Sequence, residues 1–446
     1  MTQAPAVAMS AGDTAWVLVS AAFVMLMVPG LAFFYGGLVR TRSVLNVLMM
    51  SLGAFALVSV QWVLAGYSLA FSPGSGLVGG LTWMGFTGVN GAANATYAAT
   101  IPHLAFAAFQ AMFAGITVAL ISGAVVERMK FSAFLVFGLV WTFVVYDPLA
   151  HWVWADGGWL RMRGALDFAG GTVIHVSAGT SALVAALVLG RRRDFGRPVL
   201  VPHNVPFTVL GAGLLWFGWF GFNGGSALGA NEVAANAFVT THVAAATAMV
   251  VWLLIDIWRN GHATAVGGAT GAVVGLVAIT PAAGYVTPGG AVLMAAITAG
   301  IAYAAIQWRP RTRIDDALDV FACHGVAGVA GAVLTGVFAT KSVNPAGADG
   351  LLAGNPGLVW TQVEAVLAAM LLAGGLTFGI LHALQALMGL RVTLSEEIGG
   401  IDGSEHGEAA YHGGDVGELV GRGALLGESV VIEAPASPVG ATPRPV

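Results

Sequence analysis

Two histidines lie inside apolar stretches in opposite halves of the 446-residue chain, each eight residues after an aspartate: Asp167 with His175, and Asp316 with His324. An imidazole donates and accepts hydrogen bonds and can carry a proton near neutral pH. Ionisable groups inside an apolar span are costly, and they mark conduction paths and proton relays. Two of them at matched spacing point to an internal repeat around a proton-capable pore. The single cysteine, Cys323, adjoins His324. Neighbours on a helix point about 100° apart, and zinc needs three or four converging ligands, so neither a metal nor another cofactor is expected. One cysteine also excludes an intrachain disulfide.

The elements that position these residues are membrane helices. The chain is 57% hydrophobic and 9% charged, whereas soluble domains are about 25% charged. Runs of about 20 apolar residues mark spans, and eleven are read, near 14–38, 44–70, 103–126, 131–150, 168–190, 204–228, 235–258, 263–280, 288–307, 319–339 and 357–389. The eighth and ninth are interrupted by Gly and Pro. Twelve basic residues, among them Arg40, Arg128, Arg192, Arg197, Arg259 and Arg309, follow odd-numbered spans, against three (Arg161, Arg163 and Lys341) after even ones. The positive-inside rule then puts the N-terminus outside and the C-terminus inside a plasma (cytoplasmic) membrane. Residues 1–13 read as a short outer tail without signal-peptide character, 14–390 as the membrane domain, and 391–446 as a cytoplasmic tail. That tail is acidic at Glu396, Glu397, Glu405 and Glu408, and its Pro/Gly-rich end is expected to be disordered.

The two halves align. DFAGGTVIHVSAG lies over DALDVFACHGVAG, and FFYGG (33–37) over GFNGG (221–225). Spans one to five thus match six to ten, with the eleventh added. Five is odd, so the second copy is inverted, as in many transporters. Eight helical residues cover roughly 12 Å of a hydrocarbon layer about 30 Å thick. Both histidines therefore reach the midplane, either as a facing pair or each satisfied separately by hydroxyls or carbonyls. Gly179 and Gly328 occupy equivalent places and allow close helix packing. Stretch 71–100 has no assigned structure.

The strings AFQAMFAGITVALISGAVVERMKFSA, AHWVW, GALDFAGGTVIH, PHNVPF, GWFGFNGGSA, ITPAAGYV, DDALDVFACHGVAG and DGSEHGEAAY resemble the ammonium transporter (Amt/Mep/Rh) family, on its Amt branch, over about 14–411. The resemblance implies an outer cation site at Trp154 and Ser226 with Phe113 beside it, a gate of Phe113 and Phe222, a pore lined by His175 and His324, and a buried electrostatic or structural Asp167. Alone, Trp154 would read as an interfacial anchor, Phe113 and Phe222 as core fillers, Ser226 as a packing hydroxyl and Asp167 as a helix N-cap; Trp219 is mostly structural and can flank the pore. The implied activity is transport of ammonium or ammonia, and of methylammonium, by a homotrimer with one pore per subunit and no nucleic-acid partner. The tail motif EIGGIDGSEHGEAAY implies regulation by a PII-type signal protein in nitrogen uptake. Alternatives are an ammonium sensor with little transport, or a channel for another small neutral molecule. No nucleophile–base pair or cofactor motif supports an enzyme.

Overall fold

The computed structural model describes residues 8–196 and 202–411. The reading of Arg197 as a loop cation, the first residues of the outer tail and the Pro-rich end lie outside the described residues. Among the described residues eleven apolar helices carry the fold: α1 Ala11–Leu38, α2 Thr41–Phe71, α3 His103–Val125, α4 Phe131–Met162, α5 Gly171–Leu189, α6 Val205–Gly225, α7 Glu232–Asn260, α8 Ala265–Ile279, α9 Pro288–Arg311, α10 Phe321–Phe338 and α11 Gly357–Leu387. Ten of them are long and apolar enough to cross a membrane, and α8 is the shorter one. Its Gly-rich sequence, the interruption noted above, gives way to turns at Thr280–Tyr285. The chain is a multi-pass membrane protein.

Helix starts follow ordinary capping chemistry. Ser10, Asn204, Asn231, Thr264 and Thr287 each accept a backbone N–H from their helix's first turn. Stretch 71–100 folds as an irregular loop ending in a short antiparallel hairpin of β1 (Ala93–Asn94) and β2 (Ala98–Pro102), a departure from all-α.

The inverted repeat is written into the backbone around both histidines. Each sits in a six-residue π-helical turn, Gly171–Val176 and Phe321–Val326. Five residues before each, the chain takes a left-handed conformation, at Gly170 (φ 107°) and Asp319 (φ 56°). Glycine adopts it freely, and aspartate is among the few other residues that do. Gly179 of α5 faces the backbone of Gly325, and Gly328 of α10 faces the His175 Cβ and Gly171 O. The two helices cross at their glycines, which brings the two imidazoles together. α1 and α6, the other repeat-related pair, cross in the same way at Gly30 and Gly211.

Connections after odd-numbered helices gather on one face. Glu127, buried between α3 and α4, pairs with Arg40 (2.9 Å) and Arg192 (2.8 Å), and Arg192 also pairs with Asp315 (2.9 Å). Four connections are thereby clamped together. The first part of the tail docks on this face as α12 (Leu394–Gly399) and α13 (Ile401–His406). Asp402 accepts the N–H groups of Leu45 (3.0 Å) and Asn46 (2.8 Å), and Glu405 accepts that of Phe131 (2.8 Å). Two acidic side chains thus satisfy the free donors and the positive dipole ends of α2 and α4.

Candidate functional site

Asp167 organises the start of α5. Its two carboxylate oxygens accept four backbone N–H groups, from Gly170 (2.9 Å), Gly171 (2.6 Å), Thr172 (2.9 Å) and Val173 (3.0 Å). Its own carbonyl accepts the indole N–H of Trp154 at 2.8 Å. One residue therefore fixes both the helix that carries His175 and the ring of Trp154. Asp316 does less for α10: one oxygen accepts Phe321 N–H at 2.7 Å, and the other is buried without a partner among the described residues.

The histidines face each other. Their Nδ1 atoms are 3.2 Å apart, the ring centroids 5.3 Å and the planes 18°. Both rings are buried. Two nitrogens at this distance share one hydrogen, so one Nδ1 donates and the other accepts. The far Nε2 atoms then differ: one is a bare acceptor and the other an N–H donor. His175 Nε2 has no partner among the described residues, so it is available to a guest. Trp219 stacks on His175 at 5.4 Å and 20°, held by an indole N–H bond to Thr280 (2.9 Å). Its place beside the pair shows it flanking the cavity. That cavity is narrow and otherwise apolar, lined by Leu31, Ile116, Leu120, Ile174, Leu215 and Val273.

Phe113 and Phe222 lie above it, with centroids 4.4 Å apart and planes tilted by 49°. Both are almost fully buried. Phe222 borders the histidine cavity, while Phe113 borders a wider, more polar vestibule, lined also by Arg161, on the face opposite the Arg40–Glu127–Arg192 cluster. Trp154, Asp167 and Ser226 line the same vestibule. The Trp154 ring meets Phe113 edge to face at 6.2 Å. Ser226 donates its hydroxyl hydrogen to Phe222 O at 2.8 Å, which leaves its oxygen as an acceptor. Gln110 belongs to this wall too, its Oε1 buried without a partner among the described residues. Sequence reasoning did not single it out, although it precedes Phe113 by three residues and so shares its helix face.

All seven residues read from the sequence thus fall along one line: vestibule, ring pair, histidine cavity. Cys323, by contrast, points to the opposite face and lines a separate cavity with Arg40, Glu127 and Arg192. Among the described residues no cluster of His, Cys, Asp and Glu has the makings of a metal site. On the arginine-rich face, burial pushes the Glu127 carboxyl up, but Arg192 and Arg40 outweigh it and hold it below the usual carboxylate range. Asp315 is likewise raised by burial and lowered more strongly by Arg192.

Known proteins resemble this chain in sequence and fold. The model of the Ammonium Transporter Family matches residues 15–411. The ammonium transporter of Bacillus subtilis is 47% identical over 404 residues, covering 90% of this chain and 99% of its own. That of Aquifex aeolicus is 50% identical over 408 residues, covering 90% and 93%. The crystal structure of Saccharomyces cerevisiae Mep2 superposes with a TM-score of 0.82 at 38% identity, covering 87% of this chain and 88% of that one. A structure described as a sensor Amt protein superposes with a TM-score of 0.81 at 30% identity, covering 89% and 98%. With its paired imidazoles, its inverted halves and its match from residue 15 to 411, this chain belongs to the Ammonium Transporter Family.

Proposed function

We propose that the protein is an ammonium transporter, recruiting the cation in the outer vestibule and passing it inward as ammonia. The observation that carries the reading is the His175–His324 pair, 3.2 Å between Nδ1 atoms, at the end of an apolar cavity closed by two phenylalanines. The vestibule offers a guest acceptors and ring faces: the indole of Trp154, the oxygens of Ser226 and Gln110. Such a set suits a small cation with N–H groups, and each aromatic face contributes about 0.5–2 kcal/mol. Asp167 spends its carboxylate on backbone donors, so it acts by holding Trp154 and α5 in place and by its charge, rather than as a ligand.

Below the gate, an intact cation would face a desolvation cost of at least several kcal/mol. Losing a proton costs about 4 kcal/mol when the amine pKa lies roughly three units above pH 7, at 1.36 kcal/mol per unit. Ammonium is therefore stripped near the gate and crosses neutral. Each Nε2 of the histidine pair meets one complementary atom of the ammonia, and the shared hydrogen between the rings offers a relay for the released proton. Methylammonium fits the same rule.

The parity of the helices and the arginine-rich face support an outer N-terminus and an inner tail in a plasma membrane. The docked tail supports a regulatory role, with a PII-type signal protein as the partner at that face, and the family resemblance supports a homotrimer with a pore in each subunit. The likeness to a sensor Amt protein keeps a second reading, binding without appreciable flux. Uptake of radiolabelled methylammonium into proteoliposomes tests both. Saturable uptake that falls at least tenfold in His175→Ala and His324→Ala is expected. Unchanged flux and selectivity in both variants removes the pair from the mechanism, and binding without uptake in the unsubstituted protein favours the sensor.

A further inference from the structure

The cavity on the arginine-rich face extends from Cys323, beside His324, to a corner where Trp252, Asp256 and Tyr303 line it. Most of its charges cancel in place. Glu127 pairs with Arg40 and Arg192, and Asp319 with Arg309. Asp256 is the exception. It is buried, and its oxygens accept only hydroxyls, from Thr264 (2.6 Å) and Tyr303 (3.3 Å). Among the described residues, no basic side chain forms an ion pair with it. The nearby Arg259 guanidinium instead lies 5.8 Å from the Tyr303 ring centroid. A buried carboxylate without a counter-cation is strongly disfavoured; the positive end of α8, at Gly267 beside Asp256 Oδ2, offsets part of that cost, and among the described residues no side-chain cation pairs with it.

A purely structural role accounts for only part of this. Thr264 already caps α8 by accepting the Gly267 N–H at 3.0 Å, and the cap needs no charge behind it. The rings beside the carboxylate have their own chemistry. Trp252 and Tyr303 meet edge to face, centroids 5.0 Å apart, next to an anionic acceptor. Aromatic faces around a carboxylate recognise small cations. Thr270 and Gln307 add polar groups to the same wall.

We propose that Asp256, Trp252 and Tyr303 form a second cation site, for ammonium and small alkylammonium ions, on the arginine-rich side of the histidine pair. It rests on the transport reading only for the identity of its guest. The site gives the inner face its own affinity for the cation, separate from that of the Trp154 vestibule.

Sealed membrane vesicles of both orientations, with labelled methylammonium offered to one face at a time, read the two affinities. In Asp256→Asn, the half-saturation concentration on the arginine-rich face should rise at least fivefold relative to the opposite face. Trp252→Leu should raise that ratio two- to threefold, and Asp256→Glu should restore part of it. Thr264→Ala, which breaks the cap and keeps the carboxylate, should leave the ratio in place. An unchanged ratio in Asp256→Asn overturns the site, as does an equal shift in Thr264→Ala. If Asp256→Asn fails to fold, Trp252→Leu decides by the same criterion. Absence of flux in the unsubstituted protein refutes transport instead. Calorimetric titration with methylammonium then judges the site: losing one binding step in the variant supports it, and an unchanged isotherm overturns it.

Discussion

Asp167 caps α5 with its carboxylate and holds the Trp154 indole through its carbonyl. Four N–H groups converge on one carboxylate, so Asp167→Ala leaves several buried donors unmatched, at about 1–3 kcal/mol each. The variant should lose several degrees in melting temperature and most methylammonium uptake; Asp167→Asn, which keeps one acceptor oxygen, should fall between. A melting curve matching the unsubstituted protein would contradict this. Ser226 has a smaller part. Its hydroxyl hydrogen is spent on Phe222 O, so Ser226→Ala removes one acceptor and should raise the half-saturation concentration a few-fold with maximal rate nearly kept. The roles of Trp154, Phe113 and Phe222 could not be extracted from their types, because tryptophan and phenylalanine fill cores and interfaces far more often than they bind guests. Only their place in motifs marked them. Gln110 escapes notice for the same reason: one polar residue in an apolar helix has many explanations until it is found in the vestibule wall with its oxygen unpartnered among the described residues.

At the scale of elements, hydrophobic run length located the helices, and the odd count followed from where the arginines fall. What run length cannot encode is a local change of helical pitch. The π-helical turns at both histidines lie where α5 and α10 cross at glycine, a tertiary contact, and similar turns occur at Trp62–Gly66 and Thr142–Tyr146. Gly179→Ala tests the crossing. An added methyl there would press on the backbone of Gly325, where no flexible side chain can yield. Overpacking of this kind costs about 1–3 kcal/mol. The expected outcome is a less stable protein whose transport rate drops more than its outer affinity, measured by melting and by concentration-dependent uptake. Equal stability and rate would show that the crossing tolerates separation. The hairpin at 93–102 was not legible, since its two short strands are held by the loop around them rather than by an alternating pattern.

At the scale of the whole molecule, the arginine-rich face works as one unit. Buried Glu127 serves two arginines from different connections. Replacing it by Gln breaks two buried ion pairs, at up to about 3–5 kcal/mol, while Arg192 keeps Asp315 and Arg40 keeps Asp194, so Glu127→Gln should melt below the unsubstituted protein. Its folded pKa is depressed, so the stability it contributes is complete above the unfolded carboxylate value, about 4.3, and is lost as pH falls below that through the depressed folded value. Asp315 behaves alike. The melting temperature should therefore hold between pH 7 and about 5 and decline below about 4.5, and the decline should be shallower in Glu127→Gln. The acidic tail was visible as a change of composition; its docking was not, because Asp402 and Glu405 bind backbone groups at helix ends rather than basic side chains a charge pattern would pair.

The central claim is that the path admits only what can surrender a proton, and potassium, close to ammonium in size but with no proton to give, tests it most directly. In proteoliposomes given equal gradients of each ion, ammonium-dependent flux should be saturable while potassium flux stays at the level of empty liposomes. Potassium carried at a rate comparable to ammonium would contradict the account.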